Sequence, residues 1–166
     1  MTITRVDEFL AYFEKVHGRT AKLLPLIPDA QLEQVLVPNK FSFGDLLRHL
    51  AGTKRYMFVA NATGEASSYP GHSRALADGY GEVMTYYHQC HAESVDLLRK
   101  LSDDDLQRKC QTPAGASITV WKWLRAMLEH EIHHRGQLYF MLGMVGVSTP
   151  PIFGLSSEEV RDLSRA

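Results

Sequence analysis

The stretch LEHEIHHRGQL, residues 128–138, lies near the centre of the longest helical pattern in the chain and contains three histidines. An α-helix turns by about 100° per residue, so His130 and His134 lie one turn apart on the same face. Four apolar residues at helical spacing share this face, namely Trp123, Met127, Leu138 and Met141. The stretch therefore predicts a helix over residues 118–143 with a histidine pair inside its apolar stripe.

Three more segments of the chain have apolar residues at helical spacing. They span residues 6–24, 41–61 and 78–101, and a short helix is expected to begin at Ser156. Ser42 and Asp45 have the spacing of a capping box at the start of the second segment. No alternating pattern of useful length predicts a strand. The sequence thus predicts an all-α four-helix bundle with a short C-terminal helix and a long connection between helices 2 and 3.

The composition is that of a single globular domain spanning residues 1–166. A formal net charge of −1 gives no electrostatic reason to expect a nucleic-acid or membrane partner. No apolar run approaches the length that a membrane span requires. The two cysteines, Cys90 and Cys110, form no disulfide framework and are interpreted as reduced thiols, so we expect a cytoplasmic protein.

The histidine pair on the fourth predicted helix is suited to binding a metal ion. The i, i+4 spacing lets the imidazoles of His130 and His134 reach one ion at about 2.0–2.1 Å. The alternative is a pair of core histidines bonded to their neighbours, although two buried imidazoles with few partners would be costly. An open metal site usually needs a third protein ligand. His49 is the first candidate and His91 the second, and spacing along the chain does not separate them.

The spacing of the remaining histidines gives weaker indications of a metal site. His17 follows an apolar residue of the first helix by four positions. His133 falls on the other side of the fourth helix from the pair, so we expect it at the rim or in solvent. His72 lies in a predicted loop and His88 lies off the main stripe of the third helix, so both are predicted to face solvent.

The letters H-E-x-x-H also fit a zinc peptidase, with Glu131 as general base and Glu158 or Glu159 as third ligand. Such peptidases bind their substrate along the edge of a sheet, and no strand is predicted here. Glu131 also lies four residues before Arg135, in the favourable order for an ion pair on a helix. A zinc peptidase is therefore a minor alternative.

A second alternative is a di-iron bundle. Glu14 with His17, and Glu131 with His134, form two Glu-x-x-His motifs. A di-iron bundle also needs a glutamate from each of the other two helices. The second helix, at residues 43–60, contains none, which excludes this alternative.

Three stretches carry a resemblance to a known family: SFGDLLRHLAGTKRYM at residues 42–57, LEHEIHHRGQLYFMLGMVGV at 128–147 and PPIFGLS at 150–156. They resemble the DinB/YfiT-like superfamily of metal-dependent enzymes, which is unrelated to the DNA polymerase that shares the DinB name. The resemblance covers nearly the whole chain. It implies a four-helix bundle that holds a divalent metal through one histidine of the second helix and an H-x-x-x-H pair of the fourth. These positions are His49, His130 and His134, so the resemblance favours His49 over His91.

The expected function follows from this ligand set. Three neutral imidazoles leave a dipositive centre with an open position, and they suit Zn, Ni, Fe or Mn about equally. The resemblance implies a thiol-dependent transferase or isomerase that uses a low-molecular-weight thiol with a small-molecule substrate, and hydrolysis is the competing chemistry. A metal-binding bundle without catalysis, such as a sensor or stress protein, is the alternative. No catalytic residue is identified beyond Glu131, a weak candidate because it lies about 100° from His130.

The fourth helix has a second apolar sector, formed by Trp121, Leu124, Leu128, Ile132, Tyr139 and Leu142. This sector needs cover from the C-terminal segment or from a second subunit. Members of the resembled family are often dimers, so a homodimer is expected. Gly136 costs the helix about 1 kcal/mol relative to Ala. It either permits close approach of a neighbouring backbone or is tolerated.

Overall fold

A computed structural model of the protein describes residues 2–165. Its helices are α1 (Val6–Ala21), α2 (Phe43–Thr53), α3 (Ala60–Thr63), α4 (Tyr80–Leu98), α5 (Val120–Met144) and α6 (Ser157–Leu163). A π-helical turn, Lys54–Val59, joins α2 to α3 without a break, so these two helices form one arm of the bundle. The other arms are α1, α4 and α5. The predicted all-α four-helix bundle with a short C-terminal helix is therefore confirmed.

Local signals in the sequence explain where several helices begin and end. The Asp45 N–H donates to Ser42 Oγ at 3.0 Å, and the Ser42 N–H donates to Asp45 Oδ2 at 3.2 Å, which closes the predicted capping box. Ser156 and Glu159 form the same reciprocal pair at the start of α6. Gly64 ends α3 in a left-handed conformation with φ of 80°, which glycine adopts without a steric penalty.

The predicted long connection between the second and third arms comprises residues 64–79, and a buried arginine anchors it to α2. Arg48 is 0% exposed and donates from Nε to the carbonyl of His72 at 2.8 Å and from Nη1 to the carbonyl of Ala77 at 3.0 Å. Glu33 accepts from both terminal nitrogens of the same guanidinium at 2.8 Å. The bidentate pair fixes the arginine, and the arginine fixes the loop next to the position of His49.

A small hairpin was not predicted from the sequence. Strands β1 (Lys109–Gln111) and β2 (Ser117–Thr119) pair antiparallel, with Cys110 opposite Ile118, and the chain enters α5 directly after β2. Each strand has only three residues, which is too short for an alternating pattern to be recognised. The prediction that the chain is helical is therefore corrected at one place, the hairpin formed by β1 and β2.

The core of the bundle consists of two apolar clusters. Along α5, buried residues up to Leu128 belong to the first cluster, and buried residues from Leu138 onward belong to the second. Between them lie the buried polar side chains of Glu131, His134 and Arg135. The chemistry-bearing part of α5 is thus a polar layer between two apolar halves.

The second apolar sector of α5 is covered mostly by the chain itself. Leu124, Leu128 and Leu142 are buried in the core, whereas Ile132 remains 39% exposed. The hydroxyl of Tyr139 donates to the carbonyl of Pro150 at 2.6 Å, so the C-terminal segment supplies part of the cover. Across residues 2–165, no helix combines the length and the apolar character needed to cross a membrane.

Candidate metal centre

Three histidine side chains from two arms of the bundle converge. His49 comes from α2, and His130 and His134 come from α5. The Nε2 atom of His130 lies 3.1 Å from Nε2 of His49 and 3.1 Å from Nε2 of His134. A tetrahedral ion bound at 2.0–2.1 Å holds its ligand nitrogens about 3.3 Å apart. Within residues 2–165, this is the one group of three or more potential ligands whose atoms lie within 4.8 Å of one another.

The outer nitrogens of two of these rings have partners that orient the rings. The carbonyl oxygen of the Gln137 side chain lies 2.7 Å from Nδ1 of His134 and can only accept, so Nδ1 carries the proton and Nε2 presents a lone pair. The hydroxyl of Tyr69 lies 2.8 Å from Nδ1 of His49. Such partners fix the tautomer and the ring orientation of histidines that bind metals.

The electrostatics of the site keep the three rings neutral. Burial, followed by the neighbouring imidazoles, lowers the pKa of His49 to about 4 and that of His130 to about 3. Burial also lowers the pKa of His134. Neutral imidazoles carry the lone pairs that a metal needs, because protonated rings cannot bind it. Three lone pairs directed at one point repel one another, and a cation is the group that satisfies all three.

Two residues of the site, Gln137 and Tyr69, were not predicted from the sequence, and His72 was predicted to face solvent but does not. Gln137 lies three positions after His134 on the same helix face, a spacing that could have identified it. Tyr69 lies in the connection at residues 64–79, where no periodicity indicates which side chains point inward. His72 is half-buried rather than in solvent, because its ring packs against Phe41 with centroids 4.8 Å apart. His88 and His133 are exposed, as predicted.

The second candidate for third ligand, His91, belongs to a different group of residues. We call this group the inner cluster; it consists of Glu14, His17, Lys54, Tyr87, His91 and Glu131. The ring of His91 stacks on that of His17 with centroids 3.4 Å apart and planes 5° apart. Nε2 of His91 lies 3.1 Å from Oε2 of Glu14. The structure thus places His49, and not His91, beside the α5 pair.

Glu131 also belongs to the inner cluster. It is 1% exposed, and its Oε2 lies 3.0 Å from Nζ of Lys54, which is 2% exposed. This contact is mainly electrostatic, because the oxygen lacks an aligned hydrogen bond. The prediction that Glu131 forms an ion pair with Arg135 is wrong. Arg135 instead donates from Nη1 to the carbonyl of Val16 at 3.2 Å.

The zinc-peptidase alternative lacks support in this geometry. Its base, Glu131, is held by Lys54 in the core. Its third ligand would come from α6, where Oε2 of Glu159 accepts from the backbone N–H of Ser156 at 2.6 Å as a helix cap. Neither Glu158 nor Glu159 joins the histidine group in the described part of the chain. Glu131 is therefore not available as a general base in this conformation.

Comparisons with known proteins agree with this architecture. The sequence profile of the DinB superfamily matches residues 12–138. The uncharacterized protein YrdA of Bacillus subtilis (strain 168) is 26% identical over 159 residues, covering 93% of this chain and 91% of YrdA. Among solved structures, a DinB-like protein from Bacillus cereus ATCC 10987 is similar with a TM-score of 0.74 at 20% identity. That match covers 89% of this chain and 97% of the other.

Two further solved structures carry functional descriptions. YfiT from Bacillus subtilis, described as a probable metal-dependent hydrolase with an unusual four-helix bundle topology, has a TM-score of 0.67 at 18% identity, covering 86% of this chain and 89% of YfiT. A mycothiol-dependent maleylpyruvate isomerase has a TM-score of 0.60 at 14% identity, covering 87% of this chain and 62% of the isomerase. These structures share the fold, and the profile covers most of the sequence. The chain belongs to the DinB superfamily.

Proposed function

We propose that the protein is a metal-dependent enzyme whose divalent ion is held by His49, His130 and His134. The observation that carries this proposal is the convergence of their three Nε2 atoms, with 3.1 Å between neighbouring atoms. All three rings are neutral at physiological pH because burial lowers their pKa values. The ligands match Zn, Ni, Fe and Mn alike, so the identity of the metal must be measured.

The chemistry available at this centre is that of a Lewis acid. A divalent ion bound there would polarise a carbonyl and lower the pKa of a coordinated thiol or water. Tyr69 and Gln137 would hold two of the imidazoles in their binding orientation. Phe41, whose ring lies 5.0 Å from that of His49, would limit the access of water to the site.

Within this chemistry we favour a thiol-dependent transferase or isomerase over a hydrolase. Two carboxylates flank His130 in sequence. Glu131 is paired with Lys54 in the core, and Glu129 is exposed and pairs with Arg125 at 3.3 Å, so we infer that neither supplies a base. A thiol ionises near pH 8.5, whereas bulk water has a pKa of 15.7, so a thiol needs much less help from a base. The likeness to a mycothiol-dependent isomerase supports this choice, and the likeness to a metal-dependent hydrolase keeps hydrolysis as the second candidate.

The experiment is a thiol panel with the protein loaded with cobalt, whose visible spectrum reports its ligands. Glutathione, bacillithiol, mycothiol and coenzyme A are each added to wild type and to His49→Ala. We expect one thiol to change the wild-type spectrum and to raise the melting temperature, and to do neither in the variant. If metal binds but no thiol changes either signal, the thiol-dependent reaction is rejected and a non-catalytic metal-binding bundle or a hydrolase takes its place.

We propose a single-domain, cytoplasmic homodimer that acts on a small molecule and has neither a nucleic-acid nor a membrane partner. Support for the dimer comes from the second apolar sector of α5, where Ile132 is 39% exposed. Light scattering of the purified protein tests the dimer, and a mass equal to one chain of 18.7 kDa would reject it.

A further inference from the structure

A cleft of about 690 Å³ opens beside the histidine group. One wall is the segment that precedes α2, and the other wall is the C-terminal half of α5. Six apolar side chains line it, namely Leu36, Val37, Phe41, Phe140, Met141 and Met144. His134 and Gln137 are also part of its lining, so the cleft reaches one of the proposed metal ligands. Its volume lies within the range of small-molecule sites in proteins, roughly 300–1,000 Å³.

Gly136 leaves one part of the cleft wall without a side chain. It lies within α5 and lines the cleft, and a Cβ atom added to it would meet no atom within 4 Å. No neighbouring backbone approaches it, so close helix packing does not account for a residue that is unfavourable in a helix interior. A larger side chain at this position would instead project into empty space along the cleft wall.

The charge of the lining defines the ligand further. Among the described residues that line the cleft, Lys40 is the one Lys, Arg, Asp or Glu, and it is exposed to solvent. Asn39 adds an amide next to it in sequence. A mostly apolar cleft with one cationic side chain complements a molecule that has an apolar body and one negative charge.

We propose that this cleft binds the substrate, an organic anion with an extended apolar chain whose carboxylate pairs with Lys40. This inference rests on the proposed function, because the reacting end of the substrate would lie near His134, one of the proposed metal ligands. Phe41, Phe140, Met141 and Met144 would bury the apolar body, and the bare backbone at Gly136 would leave room beside it.

Calorimetric titration of the full-length, zinc-loaded protein tests the ligand class with four probes: octanoate, octanol, octylamine and acetate. We expect octanoate to bind most tightly, and each methylene between acetate and octanoate to add up to about fourfold in affinity. Octanol should bind about two- to fivefold more weakly than octanoate, because it lacks the partly exposed ion pair. Equal binding of octylamine would overturn the anionic class, and equal binding of acetate would overturn the apolar body.

Matched glycine variants test the location. Gly136→Leu should weaken octanoate binding at least tenfold while keeping its zinc and its melting temperature. Gly143→Leu is the control, because Gly143 lies on the same helix, is exposed, also has space for a Cβ and does not line the cleft. Lys40→Met should remove the advantage of octanoate over octanol. An advantage that persists in Lys40→Met would mean that another cation holds the carboxylate, and it would reject the role of Lys40.

The outcomes separate this inference from the proposed function. If Gly136→Leu keeps both its zinc and its octanoate affinity, the cleft is rejected as the binding site, and the proposed metal centre is not affected. If neither wild type nor Gly136→Leu holds zinc, but the variant still loses octanoate binding, the cleft is supported and the metal-dependent function is rejected. Failure of all four probes to bind rejects the cleft as a substrate site.

Discussion

Two groups of largely buried histidines lie against the same helix, and they differ in whether a protein cation lies among them. In the proposed metal centre, the lone pairs of His49, His130 and His134 converge, and none of these rings has an ammonium group among its hydrogen-bond partners. In the inner cluster, Nζ of Lys54 lies 3.4 Å from Nδ1 of His17. The inner cluster therefore contains its own cation, whereas the proposed metal centre needs one from outside.

Ring orientation shows the same difference. The rings of His17 and His91 are stacked, with planes 5° apart, so their in-plane lone pairs run side by side and do not meet at one ion. The rings of His130 and His134 are tilted by 75°, and their Nε2 atoms meet. Burial alone thus does not indicate a metal site. The proposed centre differs from the inner cluster in that its lone pairs converge and no protein cation lies among the partners of its rings.

The largest expected effect is on metal affinity, which should fall when a histidine of the proposed metal centre is removed and not when a histidine of the inner cluster is removed. Three protein ligands share a binding free energy of about 10–16 kcal/mol, so His130→Ala should weaken zinc affinity by about 300-fold or more. His91→Ala should leave zinc affinity unchanged. Competition with a chelator and elemental analysis measure both. The distinction between the two groups fails if His91→Ala loses zinc as His130→Ala does.

The next effect concerns the cation of the inner cluster. Lys54→Met leaves the carboxylate of Glu131 buried without its ammonium partner, and only the Tyr87 hydroxyl still donates to it, at 3.5 Å. This should lower the free energy of unfolding by about 3–5 kcal/mol. The double variant Lys54→Met/Glu131→Gln removes both charges and should recover most of that loss. Urea denaturation measures the two variants, and their zinc content is the control. Equal stability of Lys54→Met and wild type would show that the pair is not a structural charge pair.

Acid should destabilise the metal-free protein through both groups. Burial is the main cause that lowers the pKa of His17 to about 2 and that of His91 to about 4, alongside the lowered values of His49 and His130. In the unfolded chain these rings take up protons near pH 6.5, before the folded chain does. The contribution of each ring is present above pH 6.5 and is lost as the pH falls toward the pKa of that ring in the folded chain, by up to about 1.4 kcal/mol per pH unit.

The stabilisation that zinc supplies should change little between pH 7 and 5. Over this range the folded rings of His49 and His130 are neutral with or without the metal, because burial lowers their pKa values to about 4 and about 3. Denaturation at pH 7, 6 and 5, with and without zinc, measures the free energy of unfolding that zinc adds. A zinc contribution that falls steeply over this range would contradict neutral rings in the proposed metal centre.

The smallest expected effect is on ring orientation. Tyr69→Phe removes the hydroxyl beside Nδ1 of His49 and should weaken zinc affinity about tenfold. Tyr80→Phe is the matched control, because its hydroxyl donates to the carbonyl of Leu24, away from the histidines. Chelator competition compares the two variants, and equal affinities would remove Tyr69 from the site.

Most of the fold could be predicted because its signals are local. The capping box of Ser42 and Asp45, the histidine pair at i, i+4 and the break after Gly64 all act within a few residues. The π-helical turn at Lys54–Val59 has no such signal, because nothing in its residue pattern distinguishes it from an α-helix. The hairpin was missed because three residues do not establish a period.

The site was harder to predict because its parts meet only after the arms pack. His49 and His91 both lie at the edges of apolar stripes. His49 reaches the pair because α2 packs against α5, whereas α4, which carries His91, packs mainly against α2. The resemblance to a known family favoured His49, and residue spacing did not. Tyr69 was unpredictable for the same reason, since Arg48 brings its loop to the site through bonds to distant carbonyls.

The most direct measurement is X-ray absorption spectroscopy of the zinc-loaded protein, combined with elemental analysis. We predict one zinc per chain with three imidazole nitrogens at about 2.0–2.1 Å, and loss of this signal in the triple variant His49→Ala/His130→Ala/His134→Ala. A spectrum without imidazole ligands, or an unchanged spectrum in the triple variant, would contradict the assignment of the three histidines as the metal centre.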